Sequence, residues 1–334
     1  DHYCSAAQDL HDAEQVCQEI GIPLHKINFS IEYWNKVFKH FLSELKKGRT
    51  PNPDILCNTE IKFKEFLNYS INELQADFIA TGHYVRTRNS QGNIRLLRGL
   101  DVTKDQSYFL HALSPFQIRR SIFPIGNYKK LKVRSIAKQI KLSIANKKDS
   151  TGICFIGNKN FKKFLSRYIP ENKGDIITTS GEIVGEHIGL TYYTLGQRKG
   201  LNIGGIKEKI NMPWYVVDKN LTNNALVVAQ GKNNFYLMSQ GLIANNIKWM
   251  SKDIKKDSLN CSVKTRYRQV DVPCYLTFIE DDLVKVIFKF PISSVTPGQY
   301  AVFYLSEFCI GGGVILNRIP LYKSSLHYSD KNEY

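Results

Sequence analysis

Three stretches of this sequence combine a nucleophile, an acid or a base with backbone-shaping residues at close spacing. In "RTPNPDILCNTEIKF", residues 49–63, Pro51 and Pro53 stiffen the approach, Asp54 supplies a carboxylate, and Cys57 falls just ahead of a helix whose periodicity starts near Asn58. A helix N-terminus favours a thiolate. An ordinary thiol, with a pKa of about 8.5, is only a few per cent ionised at neutral pH, and a drop of about two units makes the reactive form dominant. Asp54 opposes that drop, so it suits proton transfer to a substrate better than activation of the sulfur. The competing reading is a buried cysteine beside a capping aspartate. In "KKDSTGICFIG", residues 147–157, Cys154 follows two lysines that favour a thiolate, and Gly152 and Gly157 leave its backbone open. Two cysteines in polar, turn-rich surroundings suggest a redox or sulfur-transfer pair. Cys17 lies on the apolar face of a helix and reads as core; Cys4, Cys261, Cys274 and Cys309 take the same reading. The third stretch, "IATGHY", places Gly82 and His83 after a buried strand, either to meet a ligand or as a turn glycine and a satisfied surface histidine.

The elements that must position these residues change character along the chain. Ala6, Leu10, Ala13, Val16, Cys17 and Ile20 share one helical face, and Ser5 and Gln8 are spaced as a capping box. "IPLHKINF" predicts a strand, and Ile31, Trp34, Val37, Phe38, Phe41 and Leu45 mark a second amphipathic helix closed by Gly48. A third helical pattern runs from about Asn58 to Leu74, and "DFIATGHY" follows as a strand. Strands alternating with helices imply a parallel, doubly wound sheet, whose ligands bind beyond the carboxyl ends of its strands. After residue 160 the pattern is β. "GDIITTSGEIVGEH" reads as a hairpin, "PWYVVDKNLTNNALVVAQG" as two strands about a polar turn, and the strands from about 240 onward as a small barrel or sandwich.

The chain has 334 residues and a net charge of +16, which draws it to a polyanion; the alternative is that Lys, Asn and Ile are simply abundant. Seven cysteines, without a C-x-x-C pair or a His/Cys ligand cluster, form neither a disulfide framework nor a zinc site, so no metal centre is expected from the protein's own ligands. No apolar run spans a bilayer and the start lacks the features of a secretory signal, so a cytoplasmic protein with no membrane partner is expected.

Taken together, "GRTPNPDILCNTEIKF", "ADFIATGHY", "LLRGLDVTKDQSYFL", "KKDSTGICFIG", "YTLGQRKGL", "PWYVVDK", "VKTRYRQ" and "VTPGQYAVFY" resemble the tRNA-specific 2-thiouridylases, in that family's order and over nearly the whole chain. The resemblance implies an α/β plus β architecture. A Rossmann-like ATP-pyrophosphatase-type catalytic domain would occupy residues 1–160, a small central β domain 161–236, a C-terminal β barrel 237–322 and a tail 323–334. It implies ATP-dependent exchange of the C2 oxygen of a wobble uridine for sulfur, with ATP and Mg2+ as cofactors. The implied partners are tRNA and a sulfur-relay carrier or cysteine desulfurase as sulfur donor.

Carried over position by position, Cys57 is the nucleophile, Cys154 bears a persulfide, and Asn52, Pro53 and Asp54 meet the target base, with Asp54 as acid/base. Gly82 contacts ATP; His83, Lys104, Asp105, Gln106, Arg266, Tyr267 and Gln299 contact tRNA. One route leaves a disulfide between Cys57 and Cys154, which needs their Cα atoms within about 7 Å at that step. The family's phosphate loop, Ser-Gly-Gly-x-Asp-Ser, does not occur in this sequence. An N-terminally truncated enzyme is therefore expected, with little adenylation activity by itself. The rival readings are a tRNA-binding protein without catalysis and another ATP-pyrophosphatase, such as an amide-forming ligase.

Overall fold

The computed structural model describes residues 6–90, 92–147, 161–204, 212–250, 254 and 257–322. Cys4, Ser5 and Cys154 lie outside the described residues. The first helix spans Ala6–Ile20. Its apolar face is less covered than its periodicity suggests: Leu10 and Ile20 are exposed and Cys17 is half-buried, which corrects the reading of Cys17 as core. The second helix runs continuously through Ser30–Tyr33, Trp34–Phe38 and Lys39–Lys46, burying Val37, Phe38, Phe41 and Leu45. Between these helices, residues 22–29 form no strand, contrary to expectation. A strand needs a neighbour for its N–H and C=O groups, and none of the described strands lies alongside this segment.

The third helix starts earlier than its apolar period indicates. It runs through Pro53–Leu56, Cys57–Glu65 and Phe66–Asn72. Asn52 is its N-cap and accepts from the Asp54 N–H at 3.1 Å, while Pro53 fills the first helical position, where no N–H is needed. The middle segment is π-helical, with i→i+5 bonds, a form found mostly as short bulges at functional sites.

The next elements form the parallel pair of this domain and a hairpin. Strand β1 (Ile79–Ala80) pairs in parallel with β4 (Ser121–Ile122). The intervening hairpin, β2 (Val85–Ser90) and β3 (Asn93–Arg98), joins a sheet built mainly by the last third of the chain, through the pairs Leu96–Cys309 and Leu97–Phe308. The central region folds as a four-stranded sheet in the order β6 (Ile183–His187), β5 (Gly174–Thr178), β8 (Ala225–Gln230) and β7 (Trp214–Asn220). Six further strands close into a barrel: β9 (Met238–Trp249), β10 (Ser258–Lys264), β11 (Val272–Glu280), β12 (Leu283–Ser293), β13 (Tyr300–Leu305) and β14 (Phe308–Pro320). Pairing of β13 with both β10 and β14 removes the sheet edges.

One hydrophobic core joins the first domain to the barrel. Ile55 and Phe63 from the third helix pack in the same cluster as Tyr108, Leu110, Tyr300, Val302 and Tyr304. The Tyr108 hydroxyl donates to the Tyr300 carbonyl at 3.0 Å, and the hydroxyls of Ser107 and Tyr304 lie 3.2 Å apart. Buried hydroxyls paired in this way fix the short helix Ser107–Leu110 against the barrel in addition to the apolar contact.

Candidate functional site

The helix carrying Cys57 is held at its N-terminal approach from two other parts of the fold. Lys219 on β7 reaches the Gly48 carbonyl with its ammonium at 3.0 Å, and burial pushes its pKa down to about 8. Buried Glu44 accepts from Lys47 at 2.8 Å and from Arg49 at 2.9 Å, and these cations hold its carboxyl below the usual range despite desolvation. The barrel then takes Thr50: its N–H donates to the Pro297 carbonyl at 2.9 Å and its carbonyl accepts from Gln299 Nε2 at 2.6 Å. Gly298 between them has φ +91°, and a Cβ there would lie 2.9 Å from the Thr50 nitrogen and 3.0 Å from Arg49 Cβ. Only glycine permits this approach.

Beyond that clamp, the cap and Pro53 set the direction of the helix, and Cys57 lies one turn inside it. The expected placement just ahead of the helix is thereby corrected, because Pro53 opens the helix and Asn52 caps it. The free N–H groups belong to its first turn, so any effect of the helix terminus on the Cys57 sulfur comes from one turn away. Asp54 is mostly buried; burial raises its carboxyl pKa above the ordinary range, against a smaller pull from Lys62. That shift holds a proton more readily, as an acid/base group requires.

His83 is buried and not at the surface. Its ring lies 5.6 Å from that of Phe63, and Nδ1 is 3.0 Å from the Thr81 hydroxyl. Burial, aided by the charge of Lys62, pushes its pKa down to about 3, so the imidazole is neutral at physiological pH. Lys62 on the third helix thus acts on both Asp54 in its first turn and His83 at the strand end. Gly82, beside His83 at the carboxyl end of β1, is exposed, and a Cβ there would have no neighbour nearer than 4.0 Å. Its backbone is open to a ligand at the place where an α/β sheet binds one.

The residues of "KDQS" divide their work. Lys104 lines a cleft of about 830 Å³ with Tyr267, Arg268 and Val270. Asp105 forms part of its wall but is 4% exposed, accepting from the Gly99 and Ser107 N–H groups at 3.0 and 3.1 Å and from the Lys264 ammonium at 3.4 Å. Gln106 accepts from the Tyr84 N–H at 2.9 Å and returns its own N–H to the Tyr84 carbonyl at 3.1 Å. Asp105 therefore shapes the loop, and Gln106 fixes the backbone beside His83.

On the barrel side, the Tyr267 ring packs on Phe109 with 4.4 Å between centroids. Arg266 turns inward, and its Nη2 donates to the Leu195 and Ser294 carbonyls at 3.0 and 2.8 Å and to the Thr296 hydroxyl at 3.0 Å. The structure thus gathers Asn52, Pro53, Asp54, Cys57, His83 and Gln299 about one packed helix. It sets Lys104, Asp105 and Tyr267 about a separate cleft, with Arg266 as the brace between central region and barrel. Sequence reasoning missed Lys219, Glu44 and Gly298; only Gly298 carried a signal, the Pro-Gly turn of "VTPGQY". Among the described residues no group of three or more His, Cys, Asp or Glu could hold a metal ion, and no helix is long and apolar enough to cross a membrane.

Comparison with known proteins matches each region. Residues 1–158 match the tRNA methyl transferase HUP domain, residues 162–230 the tRNA methyl transferase PRC-barrel domain, and residues 239–315 the aminomethyltransferase beta-barrel domain. The α/β plus β architecture is thus a Rossmann-like HUP domain followed by two β domains. The chain is 59% identical over 319 residues to the tRNA-specific 2-thiouridylase MnmA of Buchnera aphidicola subsp. Acyrthosiphon pisum, covering 96% of this chain and 87% of the relative. It is 58% identical to the proteins of the same name from Proteus mirabilis, over 95% of this chain and 86% of the relative, and from Haemophilus influenzae, over 95% and 83%. With that identity along all three regions, the chain belongs to the tRNA-specific 2-thiouridylase family.

Proposed function

We propose that this chain is a tRNA-uridine 2-sulfurtransferase, exchanging the C2 oxygen of a wobble uridine for sulfur with Cys57 as nucleophile. The observation that carries the reading is the double role of the barrel. Its Pro297–Gln299 segment holds the approach to Asn52, and its 265–271 turn lines the cationic, aromatic cleft with Lys104. A polyanion gripped in the cleft is thereby placed in fixed register with Cys57, which is how a modifying enzyme selects one base of a large substrate.

Asn52, Pro53 and Asp54 face the target base in this reading, and Asp54 moves the proton that the exchange requires. His83, neutral and anchored on Thr81, offers a hydrogen bond without adding charge. Of the tRNA-contacting set, Lys104, Asp105 and Tyr267 act through the cleft, Arg266 braces the central region against the barrel, and Gln106 and Gln299 act beside His83 and Thr50. In this reading ATP with Mg2+ would lie against the exposed backbone of Gly82, and would supply the activation that a C2 oxygen, a poor leaving group, requires. Cys154, outside the described residues, is assigned the persulfide loaded by a sulfur-relay carrier or cysteine desulfurase, in the cytoplasm.

The test is a gel that retards thiolated tRNA, run on RNA from cells whose only copy of the gene carries Cys57→Ser. The retarded band should disappear and return with the unaltered gene. Thiolation that persists in the variant would remove the catalytic reading and leave a tRNA-binding protein.

A further inference from the structure

Two thiols of the barrel have no part in that chemistry, yet stand face to face. Cys261 on β10 and Cys274 on β11 are directly opposite in antiparallel register, and their sulfur atoms are 3.6 Å apart. Residues so placed have Cβ atoms about 4.5–5.5 Å apart, while a disulfide takes about 3.5–4.5 Å between Cβ atoms and about 2.05 Å between sulfurs. Side-chain rotation with a small approach of the two strands covers the difference. Cys274 is buried against the barrel core, whereas Cys261 is half-buried and packed at its margin. One sulfur is thus accessible to a small oxidant and the other is shielded but adjacent, the arrangement of an attacking and a resolving thiol.

We propose that Cys261 and Cys274 form a reversible cross-strand disulfide under peroxide, a modification site distinct from Cys57. In the first step the Cys261 thiol gives up its proton, the thiolate attacks one peroxide oxygen and the O–O bond breaks, leaving a sulfenic acid, and the departing hydroxide takes the thiol's proton as water. In the second the Cys274 sulfur attacks the sulfenic sulfur, the S–O bond breaks, and the departing hydroxide takes the Cys274 proton as a second water. Two thiols are oxidised and one peroxide is reduced. The bond ties the base of the hairpin whose turn, residues 265–271, carries Arg266, Tyr267 and Arg268 and lines the cleft. Oxidation therefore restrains the cleft wall without touching the helix of Cys57.

The folded full chain is treated with hydrogen peroxide, remaining thiols are alkylated, and the protein is digested with trypsin without reductant. Cleavage after Lys256, Lys264, Arg268 and Lys285 puts Cys261 and Cys274 on separate peptides, 257–264 and 269–285. The expected product is these two peptides joined, lighter than their sum by two hydrogens, lost on reduction, and formed equally by Cys57→Ser. Backbone amide exchange across 265–271 should slow in the oxidised protein. Recovery of both cysteines separately alkylated, or of Cys261 oxidised beyond sulfenic acid with Cys274 still free, in protein whose circular dichroism is unchanged, would overturn the proposal.

Discussion

Replacing Gly298 by alanine tests whether the barrel positions the helix of Cys57. The glycine has φ +91°, and the new Cβ would meet the Thr50 nitrogen at 2.9 Å and Arg49 Cβ and the Thr50 carbonyl carbon at 3.0 Å. A left-handed conformation costs a non-glycine residue about 1–2 kcal/mol. Relief of the contact moves Arg49 and Thr50 away by some tenths of an ångström, which weakens two hydrogen bonds worth about 1 kcal/mol each. The sum, about 2–4 kcal/mol, falls at one junction and not on either core, so the fold should persist while Asn52–Cys57 shifts. A misplacement approaching 1 Å costs on the order of a hundredfold in rate.

The assay is thiolation of tRNA at saturating concentration, alongside tRNA affinity and circular dichroism. Gln299→Leu is the milder companion, removing one hydrogen bond and no space, with an expected loss of about tenfold. If Gln299 acts by holding Thr50, turnover falls and affinity does not. Wild-type turnover in Gly298→Ala, or a loss in Gln299→Leu confined to affinity, would refute the positioning role.

Three further outcomes follow from the same geometry. Burial raises the Asp54 pKa, so between its unfolded and folded values the unfolded chain loses its proton first and stability falls as pH rises. Asp54→Asn should therefore raise the melting temperature at neutral pH while lowering thiolation by about a hundredfold or more, and a lower melting temperature would contradict it. His111 is fully buried with Nδ1 2.8 Å from the Tyr108 carbonyl, and its pKa is pushed down to about 4. As pH falls from about 6.5 the unfolded chain binds that proton first, so about 3 kcal/mol is lost by about pH 4; His111→Gln should flatten this part of a urea-midpoint curve, the His83 part remaining, and an unchanged slope would exclude it. Lys104→Ala should reduce the salt slope of tRNA binding by about one with the fold unchanged, whereas Asp105→Ala, which strands the Gly99 and Ser107 N–H groups, should lower thermal stability; the reverse pattern would reassign both residues.

What was legible in the sequence were features whose cause is local. Runs rich in β-branched and aromatic residues about polar turns in 174–187 and 214–230 produce the strands expected, because strand propensity and turn chemistry act within a dozen residues. The "TPNPD" run contained a complete helix start, with Asn52 as cap and Pro53 as first residue. Treating Pro53 only as a stiffener moved the start past Cys57 and put the thiol at a terminus it does not occupy. Residues 22–29 fail in the opposite sense: their composition suits a strand, but pairing depends on a neighbour that composition does not encode.

Burial of His83 depends on Phe63 from another element, and the inward turn of Arg266 on carbonyls at 195 and 294, so neither is visible as a motif. The same non-locality explains why residue type points to the chemistry better than to its support. A cysteine, an aspartate and a histidine announce what they can do, but Gly298 and Lys219 act on the backbone of residues 48–50 only when three domains meet, and Glu44 acts through the side chains of Lys47 and Arg49. Substitutions at these supports should therefore change turnover more than affinity, which separates them from the residues that touch the nucleic acid.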